Sequence, residues 1–245
     1  MGTRHVRSLP RAAARVVTAA VEYVIGTAGV ALVRALDRDA VGQGHRPHGA
    51  AGSVTGWVFA HRPSNRQRNR WVVSLLDVQP TDRVLEIGFG PGIAIAELIR
   101  AGAGQVYGID HSEVMLRQAS RRNGAAVRAG RVTLMCTPVD RLPPLLDGPF
   151  DAIVAVNSLG FWPAPAERLA ELRARLAPHG RIAVVTQPRC SGATASTSRD
   201  AAAEVEKLLR SGGFTRVSTR TLPLSPPVIC VLAGPDAGRP RRPGS

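Results

Sequence analysis

Val84-Leu85-Glu86-Ile87-Gly88-Phe89-Gly90-Pro91-Gly92 is a short apolar run that meets an acid and then breaks into a glycine-rich turn. Apolar strand, tight turn and helix start follow one another here. Glycines let the backbone turn sharply and approach a ligand closely. A helix opening near Gly92 would aim free N–H groups at a carboxylate or phosphate. The dinucleotide fingerprint is G-x-G-x-x-G after a strand. Here the spacing is G-x-G-x-G, with Ile93 where the last glycine would fall. Glu86, two residues before the first glycine, would repel a pyrophosphate but suits a ligand carrying a cationic amine.

Working outward, strand-like and helix-like runs alternate. The strands are read at Arg83–Ile87, Gln105–Ile109, Val132–Cys136, Phe150–Val156 and Arg181–Thr186. Helices are expected from near Gly92, Ser112, Val139 and Pro165, with a later one over Asp200–Ser211. Strict alternation with apolar strands argues a parallel sheet covered on both faces. Two more strands, Arg216–Thr221 and Val228–Ala233, follow without a helix between them, which implies an antiparallel edge hairpin. Asp110 ends the second strand, 22 residues after Gly88. An acid at that position can accept both hydroxyls of a ribose. Ser112 then reads as a helix cap.

These motifs together resemble a class I S-adenosylmethionine-dependent methyltransferase of the type 11-like group. The resemblance is carried by Glu86-Ile-Gly-Phe-Gly-Pro-Gly92, Asp110-His-Ser-Glu-Val-Met115, Asp140-Arg-Leu-Pro143, Phe150-Asp151 and Leu176-Ala-Pro-His-Gly-Arg-Ile182. It spans about Thr81 to Gln187. It implies a Rossmann-like, doubly wound α/β sheet of seven strands in the order 3-2-1-4-5-7-6, the last antiparallel. It also implies roles. Gly88, Phe89, Gly90 and Gly92 would form the loop against the methionine part of S-adenosyl-L-methionine. Glu86 would balance its ammonium and Asp110 would hold the ribose. His111 and Met115 would flank the adenine, with Val139 and Asp140 beside it. Asn157 would line the junction between cofactor and acceptor.

Two departures from the family pattern stand out. Pro138 occupies the position of an acid that often reads the adenine amine, leaving Asp140 or the Val139 backbone for that task. The His pair common after the fourth strand is replaced by Gly160-Phe161-Trp162. The loop therefore offers no obvious base. Transfer from a sulfonium can run largely on in-line placement and exclusion of water. A base is needed only for an acceptor that must lose a proton. His61, His111 and Asn157 are the weak catalytic candidates.

The stretch from Gly56 to Trp71 precedes the first strand and mixes aromatics with Arg and Asn. Ser64 reads as the cap of its helix, with Trp71, Leu75 and Leu76 on one face and Arg66, Arg68 and Arg70 outside. As a lid it would contribute Trp57, His61, Arg66 and Asn69 to an acceptor site, with Phe161 and Trp162 as the opposite wall. That mouth suits a flat or apolar small molecule. A nucleic-acid methyltransferase is the alternative, because Arg66, Arg68 and Arg70 could meet phosphates. It is disfavoured: Asn157-Ser158-Leu159-Gly160 lacks the Asn/Asp-Pro-Pro-aromatic signature, and no Pro-Cys pair occurs. A non-catalytic cofactor-binding or membrane-tethered protein is the third reading.

Composition bounds the rest. The 245 residues hold 32 basic and 18 acidic side chains, a net charge of +14. Residues 1–70 hold 11 Arg against 3 acids, so the remainder is only mildly basic. The apolar run Val16–Val33 carries Glu22 and falls short of the ~20 residues of a spanning helix. Residues 1–48 are read as a basic, weakly amphipathic extension and linker, with targeting or peripheral membrane contact through residues 1–40 as alternatives. The methyltransferase domain is expected over 49–233, with 49–78 as lid, and a disordered tail over 234–245. Cys136, Cys190 and Cys230 have no paired spacing, so neither a metal nor a disulfide is expected, and a cytoplasmic, reducing setting fits.

Overall fold

The computed structural model describes residues 63–188 and 192–235, so the extension, Trp57, His61, Cys190 and the tail lie outside the described residues. Seven strands form one sheet in the order β3-β2-β1-β4-β5-β7-β6. They are β1 Arg83–Ile87, β2 Gln105–Asp110, β3 Val132–Cys136, β4 Phe150–Val156, β5 Leu176–Thr186, β6 Arg216–Leu222 and β7 Val228–Gly234. β1 to β5 run parallel, and β7 is antiparallel to both β5 and β6. The expected sheet and its edge hairpin are therefore present.

The helices are α1 Pro63–Leu76, α2 Ile93–Arg100, α3 Glu113–Arg122, α4 Gly124–Arg128, α5 Pro165–Ala174 and α6 Ala195–Ser211. They divide between two faces because strand residues alternate. Val84, Val106, Ala152 and Val154 pack with Val72 and Leu76 of α1, Leu98 of α2 and Val114 of α3. Leu85, Ile87, Ile109 and Ile153 pack with Leu169 and Leu172 of α5 and Val205 and Leu209 of α6. Both faces are dry, which is why the central strands read as continuous apolar runs.

Four local expectations are corrected. No α-helix forms near Val139. Pro138, Pro143 and Pro144 remove donors there, the Thr137 hydroxyl closes a turn onto the Arg141 carbonyl at 2.9 Å, and only a 3-10 turn follows at Pro144–Leu146. β5 begins at Leu176, which pairs with Phe150 before a bulge, so Pro178 and Gly180 lie within the strand. α6 begins at Ala195, capped by the Thr194 hydroxyl, ahead of the expected Asp200. α1 begins at Pro63, so Ser64 sits in its first turn.

The buried stripe of α1 is Asn65, Arg68, Asn69, Val72, Val73 and Leu76. It follows 3.6-residue periodicity, but its first half is polar. Arg68 is thus inside, not outside. The C-terminal end of α1 is held by Arg181 of β5. Its guanidinium donates to the carbonyls of Leu76 and, at 2.9 Å, Asp77, and pairs with Asp82 at 3.2 Å. Carbonyls left over at a helix end are satisfied by a cation that also suits the dipole. Arg181→Ala is expected to cost about 2 kcal/mol, lowering the melting temperature by several degrees. An unchanged melt would remove this anchor from the account.

Candidate active site

The sheet order reverses between β1 and β4, and ligands of such folds bind at the carboxyl ends of the strands there. Gly88, Gly90 and Gly92 all have positive φ, 78°, 51° and 74°. A Cβ on Gly88 would lie 2.6 Å from the Ser158 Cβ, so the turn is pressed against the residue after Asn157. Ser158 is itself fixed, its hydroxyl donating to the Ile87 carbonyl at 2.7 Å. A Cβ on Gly90 would meet nothing within 4 Å. That side of the loop is open to a ligand. From below, Asn123 Nδ2 donates to the Gly92 carbonyl at 3.1 Å and Arg122 Nε to the Pro91 carbonyl at 2.8 Å.

Glu86 lies on the same face of β1 as Val84, under the start of α2, and is buried. The Ile95 N–H hydrogen-bonds its carboxyl, while Oε2 is buried with no partner among the described residues. Burial, and then the nearby charge of Asp110, hold this carboxyl well above the usual carboxylate range. Asp110 ends β2 and is also buried. Its Oδ2 accepts the Gly90 N–H and its Oδ1 the Ser112 N–H, each at 2.9 Å. The His111 N–H hydrogen-bonds the same carboxyl, and of its roughly four lone-pair sites one remains for a ribose hydroxyl. Burial pushes the Asp110 carboxyl above the usual carboxylate range and these N–H groups oppose that rise. His111 is half-exposed, with Nδ1 3.7 Å from Asp110 Oδ1.

A methyltransferase-domain family model matches residues 84–180. The uncharacterized methyltransferase YdaC of Bacillus subtilis is 25% identical over 74% of this chain and 97% of its own length. The tRNA U34 carboxymethyltransferase of Shewanella sp. is 31% identical, over only 42% of this chain and 30% of its own. A SAM-dependent methyltransferase from Aquifex aeolicus superposes with a TM-score of 0.56, at 22% identity, over 70% of this chain and 93% of that one. The chain carries a methyltransferase domain over residues 84–180, and the relatives and the fold support a class I S-adenosylmethionine-dependent methyltransferase. The residues present suit that cofactor: an unmatched buried carboxylate for a cation, a glycine loop with open space beside it, and a second carboxylate with room for a ribose hydroxyl.

In this methyltransferase the other sequence candidates are placed as follows. Phe89, Met115 and Val139 bury their side chains in the core, so Phe89 and Val139 offer a ligand mainly backbone. Asp140 is exposed. Trp162 is a correction: it is 8% exposed and packs with Leu159 and Leu169, so it is core and not a wall of the mouth. Phe161 remains at the surface, 48% exposed. Arg66 is exposed and close enough to Arg122 for its charge to lower that guanidinium's affinity for its proton, after burial. Asn69 is buried and donates from Nδ2 to the Asn65 carbonyl at 2.6 Å. The sequence reading misses Asn65, Gln187 and Ser158, and places the buried Arg68 on the outer face of its helix. Arg68 Nη1 donates to Gln187 Oε1 and Nη2 to Asn65 Oδ1, both at 2.6 Å. The Gln187 N–H donates to Asn157 Oδ1 at 2.8 Å. The signal that could have found Asn65, Arg68 and Asn69 is their i, i+3, i+4 continuation of the Val72, Val73 and Leu76 stripe.

Cys136 is exposed at the end of β3, in register with Asp110. Cys230 is buried, which pushes its thiol up to about 12. Among the described residues no three His, Cys, Asp or Glu side chains are grouped to hold a metal, and no helix is long and apolar enough to cross a membrane.

Asp110→Ala is expected to weaken S-adenosylmethionine binding at least tenfold, about 1.4 kcal/mol. The ribose would lose its acceptor, and the Gly90 and Ser112 N–H groups would lose theirs. Calorimetry showing unchanged affinity would remove the ribose assignment.

Proposed function

We propose that this methyltransferase acts on a small-molecule acceptor, by in-line displacement at the methyl carbon. The supporting observation is the polar bridge from α1 through Arg68 and Gln187 to Asn157. It draws the first turns of α1 against the acceptor side of the β1–β4 crevice, a position that favours a recess over an open groove for a polynucleotide. S-adenosylmethionine brings a methyl group already activated on a positively charged sulfur. Glu86 supplies the negative charge for the cation at the loop, and Asp110 fixes the ribose. Gly90 keeps the loop flat where the ligand passes. His111 and Met115 stand beside the adenine position, with Asp140 and the Val139 backbone opposite. Phe161 and Arg66 stand at the rim as acceptor contacts. In this reading no general base is required in the loop after β4, since Ser158 is committed to the Ile87 carbonyl.

The second reading, a nucleic-acid methyltransferase, draws on the exposed Arg66 and Arg70 and on the likeness to the tRNA U34 carboxymethyltransferases. Methyl-labelled S-adenosylmethionine supplied with a metabolite extract and, separately, with total tRNA decides between them. Label in small molecules is the expected outcome. Label in tRNA alone would overturn the small-molecule reading.

A further inference from the structure

Asn157 gathers two costs at one residue. Its φ is 52°, in the left-handed region that asparagine enters more easily than other side chains but still at a cost. Its Nδ2 is buried with no hydrogen-bond partner among the described residues. A buried donor left unmade is destabilising. The amide cannot turn round to relieve this, because the atom facing the Gln187 N–H must be an oxygen. Gln187 is fixed in the same way. Its Oε1 faces Arg68, which has only donors, and its Nε2 donates to the Pro226 carbonyl at 2.9 Å. The chain of bonds from α1 therefore ends in a single donor at the β1–β4 switch point. Strain and an unmade hydrogen bond held together at such a place point to a ligand.

Position says which ligand. Glu86 and Asp110 stand on β1 and β2, so the cofactor occupies that side. Asn157 follows β4 and is bonded to the end of β5, on the side left for the acceptor. Resting on the small-molecule reading above, we propose that Asn157 Nδ2 donates to the acceptor's own reacting oxygen, and that this oxygen is an anion of phenolate type and not an amine. An amine would turn its N–H groups toward Asn157, where the group left unengaged is the Nδ2 donor and the oxygen is turned to the Gln187 N–H. An oxyanion has lone pairs to spare: one accepts from Nδ2 while another attacks. The new O–C bond forms as the S–C bond breaks. Sulfur keeps the bonding pair, the negative and positive charges cancel, and no proton has to leave. The absence of a basic side chain in Gly160-Phe161-Trp162 fits an acceptor that arrives already ionised.

The test uses the full chain with S-adenosylhomocysteine bound, at mildly alkaline pH. The probes are para-nitrophenolate and para-nitroaniline, of matching shape. Wild type should bind nitrophenolate at least tenfold more tightly than nitroaniline. Asn157→Asp keeps the oxygen toward Gln187 but replaces the donor by an acceptor. It should abolish that preference while leaving S-adenosylhomocysteine affinity unchanged. Asn157→Gly suits the left-handed backbone and guards against a folding defect in the first variant; it should fold and show the same loss of preference. Equal or reversed preference in wild type, or no binding of nitrophenolate, overturns the proposal. So does a fall in S-adenosylhomocysteine affinity in both variants, which would mean that Nδ2 serves the cofactor. A preference for nitroaniline would leave the small-molecule reading standing, whereas methyl label found only in tRNA would sink that reading itself.

Discussion

Glu86→Gln is expected to weaken S-adenosylmethionine binding by about a hundredfold and yet make the ligand-free protein more stable at neutral pH. Both effects come from one buried carboxyl. With Oε2 unpartnered among the described residues, the ionised form is poorly solvated until a cation arrives. A charged partner lost from such a site is worth about 1.5–3 kcal/mol, ten- to a hundredfold in affinity. The sign for stability follows from the raised position of this carboxyl's titration. A carboxyl held above its unfolded value contributes stability that is complete below the ordinary carboxylate range. That contribution is lost as pH rises through the raised value. Ligand-free wild type should therefore lose melting temperature from mildly acidic to neutral pH, and the Gln variant should lose less. Bound S-adenosylmethionine should reverse the ranking. If the two ligand-free proteins melt in parallel across that range, Glu86 is not the buried, unneutralised acid described above.

Gly88→Ala and Gly90→Ala should fail in different ways. At Gly88 the new methyl meets a strained φ of 78° and the Ser158 Cβ at 2.6 Å. Ser158 cannot withdraw without giving up its bond to the Ile87 carbonyl. Left-handed backbone costs about 1–2 kcal/mol and overpacking about 1–3 kcal/mol, so a loss of about 3 kcal/mol is expected. That is a large part of a typical margin, and corresponds to about 10 °C in melting temperature. At Gly90 the methyl enters open space, so only the backbone term applies. This variant should fold, melt a few degrees lower and bind S-adenosylmethionine at least tenfold more weakly. Normal cofactor affinity in Gly90→Ala would mean that the open side of the loop does not face the ligand.

The strands are legible in the sequence because each is a short apolar run closed by a turn, and the buried parallel sheet needs little more. The glycine loop, Glu86 and Asp110 are legible because their spacing has few other uses. The region from Thr137 to Pro144 is harder: helical spacing of Val139 and Leu142 competes with three prolines, and the prolines prevail. Trp162 reads as a wall because aromatics gather at binding mouths, yet Leu159, Leu169 and their neighbours offer it a drier place. Arg68 is the least legible of all. An arginine on a helix is ordinarily solvated, and nothing local announces that Gln187, 119 residues further on, will meet it.

The half-polar stripe of α1 has a consequence for how this enzyme can diverge. Val72, Val73 and Leu76 can each be exchanged for another aliphatic residue at modest cost, one step at a time. Asn65, Arg68 and Gln187 cannot. Arg68→Leu alone would take the Arg68 donors from the buried Asn65 Oδ1 and the partly buried Gln187 Oε1. Replacing all three with apolar residues removes both of these stranded oxygens together, at the cost of the Gln187 donor to the Pro226 carbonyl, and is expected to cost less than the single steps. Single steps across this network therefore pass through a valley that the triple change avoids, a sign epistasis whose coupling energy a triple-mutant cycle would measure. Lineages of this fold should thus alter the acceptor end of α1 as a block, while the apolar end drifts freely.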